Sequence, residues 1–153
     1  MPTFEAVAEF ACPPDALFDF LIRPANIPKI SPPDLNVTVI AAPEIVEPGS
    51  RITIEARNLG MRHRLTTVVT AVDPNALVAD EQIEGPFRKY VHERRLKESP
   101  GGVLMTEFID YEPPGGMLGL LLSKSRLEKY VTEMYEYRVN AMRALLTIPG
   151  GTP

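Results

Sequence analysis

The side chains best able to do chemistry are His92, Arg94 and Glu107. His92 and Arg94 stand two apart in the run Pro86 to Glu98, so a strand would put them on one face. That face also carries Arg88, Tyr90 and Leu96. The opposite face carries Phe87, Lys89, Val91, Glu93, Arg95 and Lys97. It is the more charged of the two and belongs to solvent, so His92 and Arg94 point inward. An unpaired inward charge is costly, and a partner must come from elsewhere. Ser99-Pro100-Gly101-Gly102 reads as a four-residue hairpin loop. Counting outward from it sets Glu98 against Val103, Leu96 against Met105, Arg94 against Glu107, His92 against Ile109 and Tyr90 against Tyr111. Directly opposed side chains share a face, about 5 Å apart at Cβ. The sequence thus predicts an inward Arg94–Glu107 pair beside His92. A slip of one residue would reverse both faces. Such a group has three uses. It can settle charge within the sheet. It can anchor the polar end of a ligand. Or it can do acid–base work, with His92 or Glu107 moving the proton and Arg94 holding an enolate oxygen.

Other chemistries lack their residues. There is no glycine-rich dinucleotide loop, no Walker-type phosphate loop and no nucleophile elbow. The histidines are His63 and His92 and the one cysteine is Cys12, so no zinc-type ligand spacing exists. No metal and no cofactor is expected. Cys12, ahead of Pro13-Pro14, reads as a small packed residue.

The chain has 153 residues, the size of one domain, read as residues 1–148 with a frayed tail at 149–153. Apolar residues make up 44% and charged residues 24%, which excludes wholesale disorder. Lys and Arg total 16 against 20 Asp and Glu, and a net charge of -4 argues against general nucleic-acid binding. The first ten residues contain no basic segment, and the longest apolar stretch, Met117 to Leu122, is far short of the roughly 18 residues of a span. The expectation is a cytoplasmic protein with no stable membrane insertion, monomeric or homodimeric.

The elements that must position the polar group are punctuated by 16 prolines. Residues 3–11 read as a strand. A helix follows from Pro14 to Pro24, with Ala16, Leu17, Phe18, Phe20 and Leu21 at helical spacing. A second short helix is expected over 25–30. Strands are expected at Leu35–Ala42, Ser50–Asn58, Arg62–Val72, Leu77–Glu84, Pro86–Glu98 and Val103–Glu112. From 117 to 146 the pattern becomes helical, with Leu120, Leu127, Val131, Met134, Arg138, Ala141 or Met142, and Leu145 recurring. Seven strands with short loops make one curved antiparallel sheet wrapped around a long C-terminal helix, an α+β helix-grip arrangement. One helix about 10 Å wide leaves part of such a hollow unfilled. Its expected lining is Leu65, Tyr90, His92, Arg94, Met105, Glu107, Ile109 and Tyr111 from the sheet. Leu120, Leu127, Val131 and Met134 would come from the helix. Asp80 and Gln82 read equally as cavity groups or edge positions. Gly115-Gly116 ahead of Met117–Leu122 reads as helix-start packing or as a flexible mouth.

Four stretches carry a family resemblance. They are Phe4-Glu5 with Ala11 to Phe18, and Pro24-Ala25-Asn26 through Ser31-Pro32-Pro33. The third is Asp80-Glu81-Gln82 with Gly85-Pro86-Phe87, Tyr90 and His92; the fourth is Glu107, Tyr111 and Pro113-Pro114-Gly115. Through them the whole chain resembles the SRPBCC superfamily, which includes START domains, Bet v 1-like allergens and small bacterial polyketide cyclase/dehydrase-like proteins. The resemblance implies the helix-grip fold and a cavity for a hydrophobic or amphipathic ligand. Leu65 stands where the family often has Trp, and Glu107 where Asp is usual, so cavity shape and ligand identity do not carry over.

The leading expectation is a binder or carrier of a lipid, quinone or polyketide-like molecule, held between sheet and long helix and oriented by Tyr90, His92, Arg94 and Glu107. The alternative is a cyclase, aromatase or dehydratase using His92, Glu107 and Arg94. A third reading is an accessory protein that meets a partner through Met117–Leu122 and has no ligand-sized cavity.

Overall fold

The computed structural model describes residues 3–58, 61–115 and 123–146. The elements are β1 (Thr3–Phe10), α1 (Pro14–Leu21), β2 (Thr38–Ala41), β3 (Arg51–Asn58), β4 (Met61–Asp73), β5 (Leu77–Glu84), β6 (Lys89–Ser99), β7 (Gly102–Glu112) and α2 (Lys124–Leu146). They form the expected α+β arrangement, a seven-stranded antiparallel sheet in the order β1-β7-β6-β5-β4-β3-β2. β1 closes onto β7 rather than β2, so the first and last strands are neighbours at one edge of the sheet, with α2 packed against β1.

Local chemistry accounts for the boundaries. Pro14 occupies the first helical position of α1, where a missing N–H costs nothing. The second short helix is instead a pair of 3₁₀ turns, Pro24–Asn26 and Pro28–Ile30. Pro28 has no N–H to continue an α-helical ladder. A further turn, Pro33–Leu35, ends on Asn36 in the left-handed region at φ 47°. The strand expected from Leu35 therefore starts only at Thr38. In α2 the Ser123 hydroxyl accepts a hydrogen bond from the Arg126 N–H at 3.2 Å and caps the first turn. The segment expected to form the start of this helix, with Leu120 and the glycine-hinged run Met117–Leu122, lies outside the described residues, as does the tail at 149–153.

The β6–β7 register agrees with the loop count: Tyr90 faces Tyr111, His92 faces Ile109, Arg94 faces Glu107 and Leu96 faces Met105. Ser99 also pairs with Gly102, so the loop is one residue pair tighter than expected. Burial alternates strictly along β7, with Val103, Met105, Glu107, Ile109 and Tyr111 all inside. β4 behaves less regularly. A bulge between Val69 and Ala71 changes the parity. Val69 and Val72 then pack in one cluster with Val46 and Ile52.

α2 buries Leu127, Val131, Tyr135, Val139 and Met142. The expected stripe through Met134 and Leu145 is displaced: Met134 is half-buried and Leu145 is 51% exposed. Steps of four outrun the 3.6-residue turn, so the buried stripe winds around the helix. Two clusters lie beneath it. One joins α1 and the C-terminal half of α2 through Phe10, Leu17, Met105, Val139 and Met142. The other joins Ile109, Tyr111, Leu127 and Val131, with Phe4, Phe87 and Tyr90 against it.

Candidate functional site

Five polar side chains from three strands and α2 meet at the inner face of the sheet. Glu107, on β7, is fully buried, and its Oε1 is 2.6 Å from His92 Nε2 and accepts from Arg138 Nη2 at 2.8 Å. Arg94 Nη1 donates to Asp80 Oδ2 at 3.1 Å, and Arg94 Nη2 lies 3.1 Å from His92 Nδ1. The side chains of Asp80, Arg94 and Arg138 are all less than one-fifth exposed.

The network differs from the expected Arg94–Glu107 pair. The two residues are opposed in register, yet each bonds elsewhere. Sheet twist brings one diagonal neighbour closer than the other. His92, diagonal to Glu107, takes its Oε1, while Asp80, opposite His92 on β5, takes Arg94. Arg138 was not expected as a site residue. Its signal was visible as one cation standing in the apolar repeat of the long helix. Asp80 resolves as a cavity group and Gln82 does not: its Nε2 donates to the Phe87 carbonyl at 2.6 Å and ties down the β5–β6 connection.

Partners fix the protonation states. A guanidinium can only donate, so His92 Nδ1 accepts from Arg94. Nε2 then carries the proton and donates it to Glu107. The ring is neutral with both nitrogens engaged. Burial, and then the Arg94 charge, push its pKa below the usual histidine value. Burial alone would raise the Glu107 carboxyl. Arg138, the His92 hydrogen bond and Arg94 outweigh it and bring the pKa down from 4.5 to about 2. Tyr90, edge-on to His92 at 6.3 Å, is pushed up to about 12 by burial and stays protonated. Asp80 and Glu107 thus balance Arg94 and Arg138, and the interior carries no net charge.

Beside this network lies a cavity of about 70 Å³. Asp80, Arg94, Glu107 and Arg138 form one polar wall, and Arg23 and Asn26 add polar side chains from the segment after α1. The apolar walls come from α1 and the turns after it (Phe20, Leu21, Ile27, Ile30), from Ile52, Val69, Val78 and Met105 of the sheet, and from Met142. Val46 joins them from the β2–β3 loop, held by its N–H bond to the Ile22 carbonyl at 2.9 Å. Of the residues singled out from sequence, Arg94, Met105 and Glu107 reach this cavity, and His92 stands one hydrogen bond behind it. Tyr90, Ile109, Tyr111, Leu127 and Val131 are not brought to it. They pack together under the first turns of α2. Leu65, opposite Ile54, and Met134 are half-buried and line none of it.

Among the described residues, no group of three or more His, Cys, Asp or Glu side chains could hold a metal ion. No described helix is long and apolar enough to cross a membrane. Comparison with known families gives one decisive match: the model for "polyketide cyclase / dehydrase and lipid transport" covers residues 1–147. The chain belongs to that family. It is therefore an SRPBCC protein, a superfamily that binds hydrophobic ligands. Its fold is shared with protein Ms6760 from Mycobacterium smegmatis, at 25% identity and a TM-score of 0.72, covering 95% of this chain and 90% of that one. Protein CV1439 from Chromobacterium violaceum superposes with a TM-score of 0.78 at 10% identity, over 97% and 99% of the two chains. The ginseng major latex-like protein 151 from Panax ginseng gives 0.70 at 16% identity, over 96% and 98%. A search of curated protein sequences finds no match.

Proposed function

We propose that this SRPBCC protein binds a small hydrophobic or amphipathic molecule, of lipid, quinone or polyketide-like type, in the cavity between the sheet, α1 and α2. The observation that carries the reading is a buried polar network set in one wall of a cavity whose other walls are mainly apolar. Apolar walls supply affinity and a few fixed polar groups supply orientation. Arg94 and Glu107 would meet the ligand, with His92 holding both in place and Tyr90 bracing His92.

Binding is favoured over turnover by the state of the same groups. A general acid–base must exchange a proton near neutral pH. His92 has both nitrogens engaged and a lowered pKa, and Glu107 is held near 2. Neither is poised to move a proton at neutral pH. The test is a binding panel of fatty acids, quinones and aromatic polyketide-like compounds against wild type, Arg94→Ala and Glu107→Ala, each variant first checked for native near-ultraviolet dichroism. The expected result is a changed order of preference in both variants. Identical preferences in all three proteins would contradict an orienting role.

A further inference from the structure

The outer face of the β3–β4 hairpin is cationic in a chain of net charge -4. Alternation puts Arg51, Glu55 and Arg57 of β3 and Arg62 and Arg64 of β4 on that face. Ile52 and Ile54 take the other face and pack in the core. Arg64 stands opposite Glu55, 3.9 Å away. Arg57 stands directly opposite Arg62. Both are exposed, and among the described residues neither enters an ion pair. Like charges directly opposed weaken a strand pair, so sheet stability does not account for this one. We infer that this end of the hairpin docks the protein on an anionic lipid surface, with Arg57 and Arg62 sharing a phosphate headgroup and nothing inserted into the bilayer. The inference stands on the charge layout and does not depend on what the cavity holds.

The pair stands at the end of the sheet. β2 pairs with β3 no further than Glu55, and β5 pairs with β4 no further than Thr66. Three other acids belong to the neighbouring segments. Asp34 sits on the turn Pro33–Leu35 packed against β3, Glu84 lies opposite Thr66 and Glu81 opposite Val68. Measured along β4 from Arg62, Glu84 and Glu81 are set back by about 13 and 20 Å at about 3.3 Å per residue. Both distances exceed the Debye length of about 8 Å at physiological salt. With Glu55 cancelling Arg64, Asp34 alone offsets two arginines, and the hairpin end stays positive. Opposed side chains start about 5 Å apart at Cβ, close enough for both guanidiniums to fork onto one phosphate. The end of a two-stranded ribbon is far smaller than the roughly 800 Å² per partner of a stable protein interface. A headgroup layer needs no matched shape and can be touched by that end alone, which favours a lipid surface over an acidic protein.

The test is co-sedimentation with vesicles of phosphatidylcholine alone and of phosphatidylcholine mixed equally with phosphatidylglycerol. Polyglutamate serves as a soluble acidic polypeptide for comparison. Wild type is compared with Arg57→Gln/Arg62→Gln and with a control of equal charge change, Arg126→Gln/Lys129→Gln on α2. All four positions are exposed, and far-ultraviolet dichroism checks that both variants keep the fold. Wild type is expected to bind the mixed vesicles, to ignore the neutral ones, and to weaken as salt rises. The hairpin variant is expected to bind about 30-fold less tightly, roughly fivefold for each arginine lost. The α2 control is expected to stay within about twofold of wild type. Absence of binding to the mixed vesicles, equal binding to both kinds, or an equal loss in the two variants overturns the inference. So does arginine-dependent binding to polyglutamate without binding to vesicles, which would assign the hairpin to an acidic protein.

Discussion

Replacing Glu107 by Gln removes one charge from the interior and almost no volume. Glu107 is fully buried and accepts from His92 at 2.6 Å and Arg138 at 2.8 Å. In the variant, Arg94 and Arg138 face Asp80 alone, and the interior carries one uncompensated positive charge. The depression of the carboxyl pKa from 4.5 to about 2 corresponds to about 3 kcal/mol at roughly 1.4 kcal/mol per pH unit. Measured costs of removing one member of a buried pair run about 3–5 kcal/mol. Glu107→Gln is therefore expected to lose about 3 kcal/mol at pH 7. The sign with pH is fixed by linkage. A carboxyl depressed in the folded state stabilises fully above its unfolded pKa and loses that contribution as pH falls toward the folded one. The gap between wild type and variant then narrows to roughly 2 kcal/mol near about pH 3.5. Urea unfolding at both pH values measures it. A companion, Glu107→Gln with Arg138→Met, restores the balance of Arg94 with Asp80 and is expected to recover more than half of the loss. A loss under about 1 kcal/mol at pH 7, or one that does not narrow in acid, would refute the charge accounting.

Three other outcomes follow from the structure. His92, neutral with its proton on Nε2, is expected to stay uncharged well below the usual histidine midpoint; nitrogen NMR showing an ordinary titration near pH 6.5 would contradict the network. Because its folded pKa is lowered, stability is complete above that midpoint and declines as pH falls below it, in the same direction as Glu107. Met142→Ala removes a fully buried side chain from the cavity wall and is expected to cost about 2–5 kcal/mol in thermal or urea unfolding. Gly102 has φ +140°, and a Cβ there would stand 2.2 Å from the Phe10 carbonyl oxygen. Gly102→Ala is expected to destabilise by more than about 1 kcal/mol. Gly49→Ala, also at positive φ but with open space around it, is expected to cost less, and the reverse order would contradict the packing.

The β-sheet and the inward face of β6 and β7 were legible because the signals were local. A short Pro-Gly loop fixed the count, and strict alternation along β7 fixed the faces. The polar network was legible only by half. Sequence placed His92, Arg94 and Glu107 on one face, but the choice among diagonal and opposed partners depends on twist. Twist has no residue of its own to read. Arg138 reaches Glu107 from a helix thirty-one positions away, a distance no periodicity spans. The cavity moved for a similar reason. Its wall is built by α1 and the two turns behind it. The bulky Tyr90, Tyr111 and Leu127 fill the opposite end, where the sequence had suggested open space.

The most direct measurement of the central claim is native mass spectrometry of the gently purified protein, repeated after incubation with a total lipid extract of the expression host. The account predicts a reproducible added mass that survives desalting, extracts into organic solvent, and is reduced in Arg94→Ala. The bare chain mass in both preparations would contradict it.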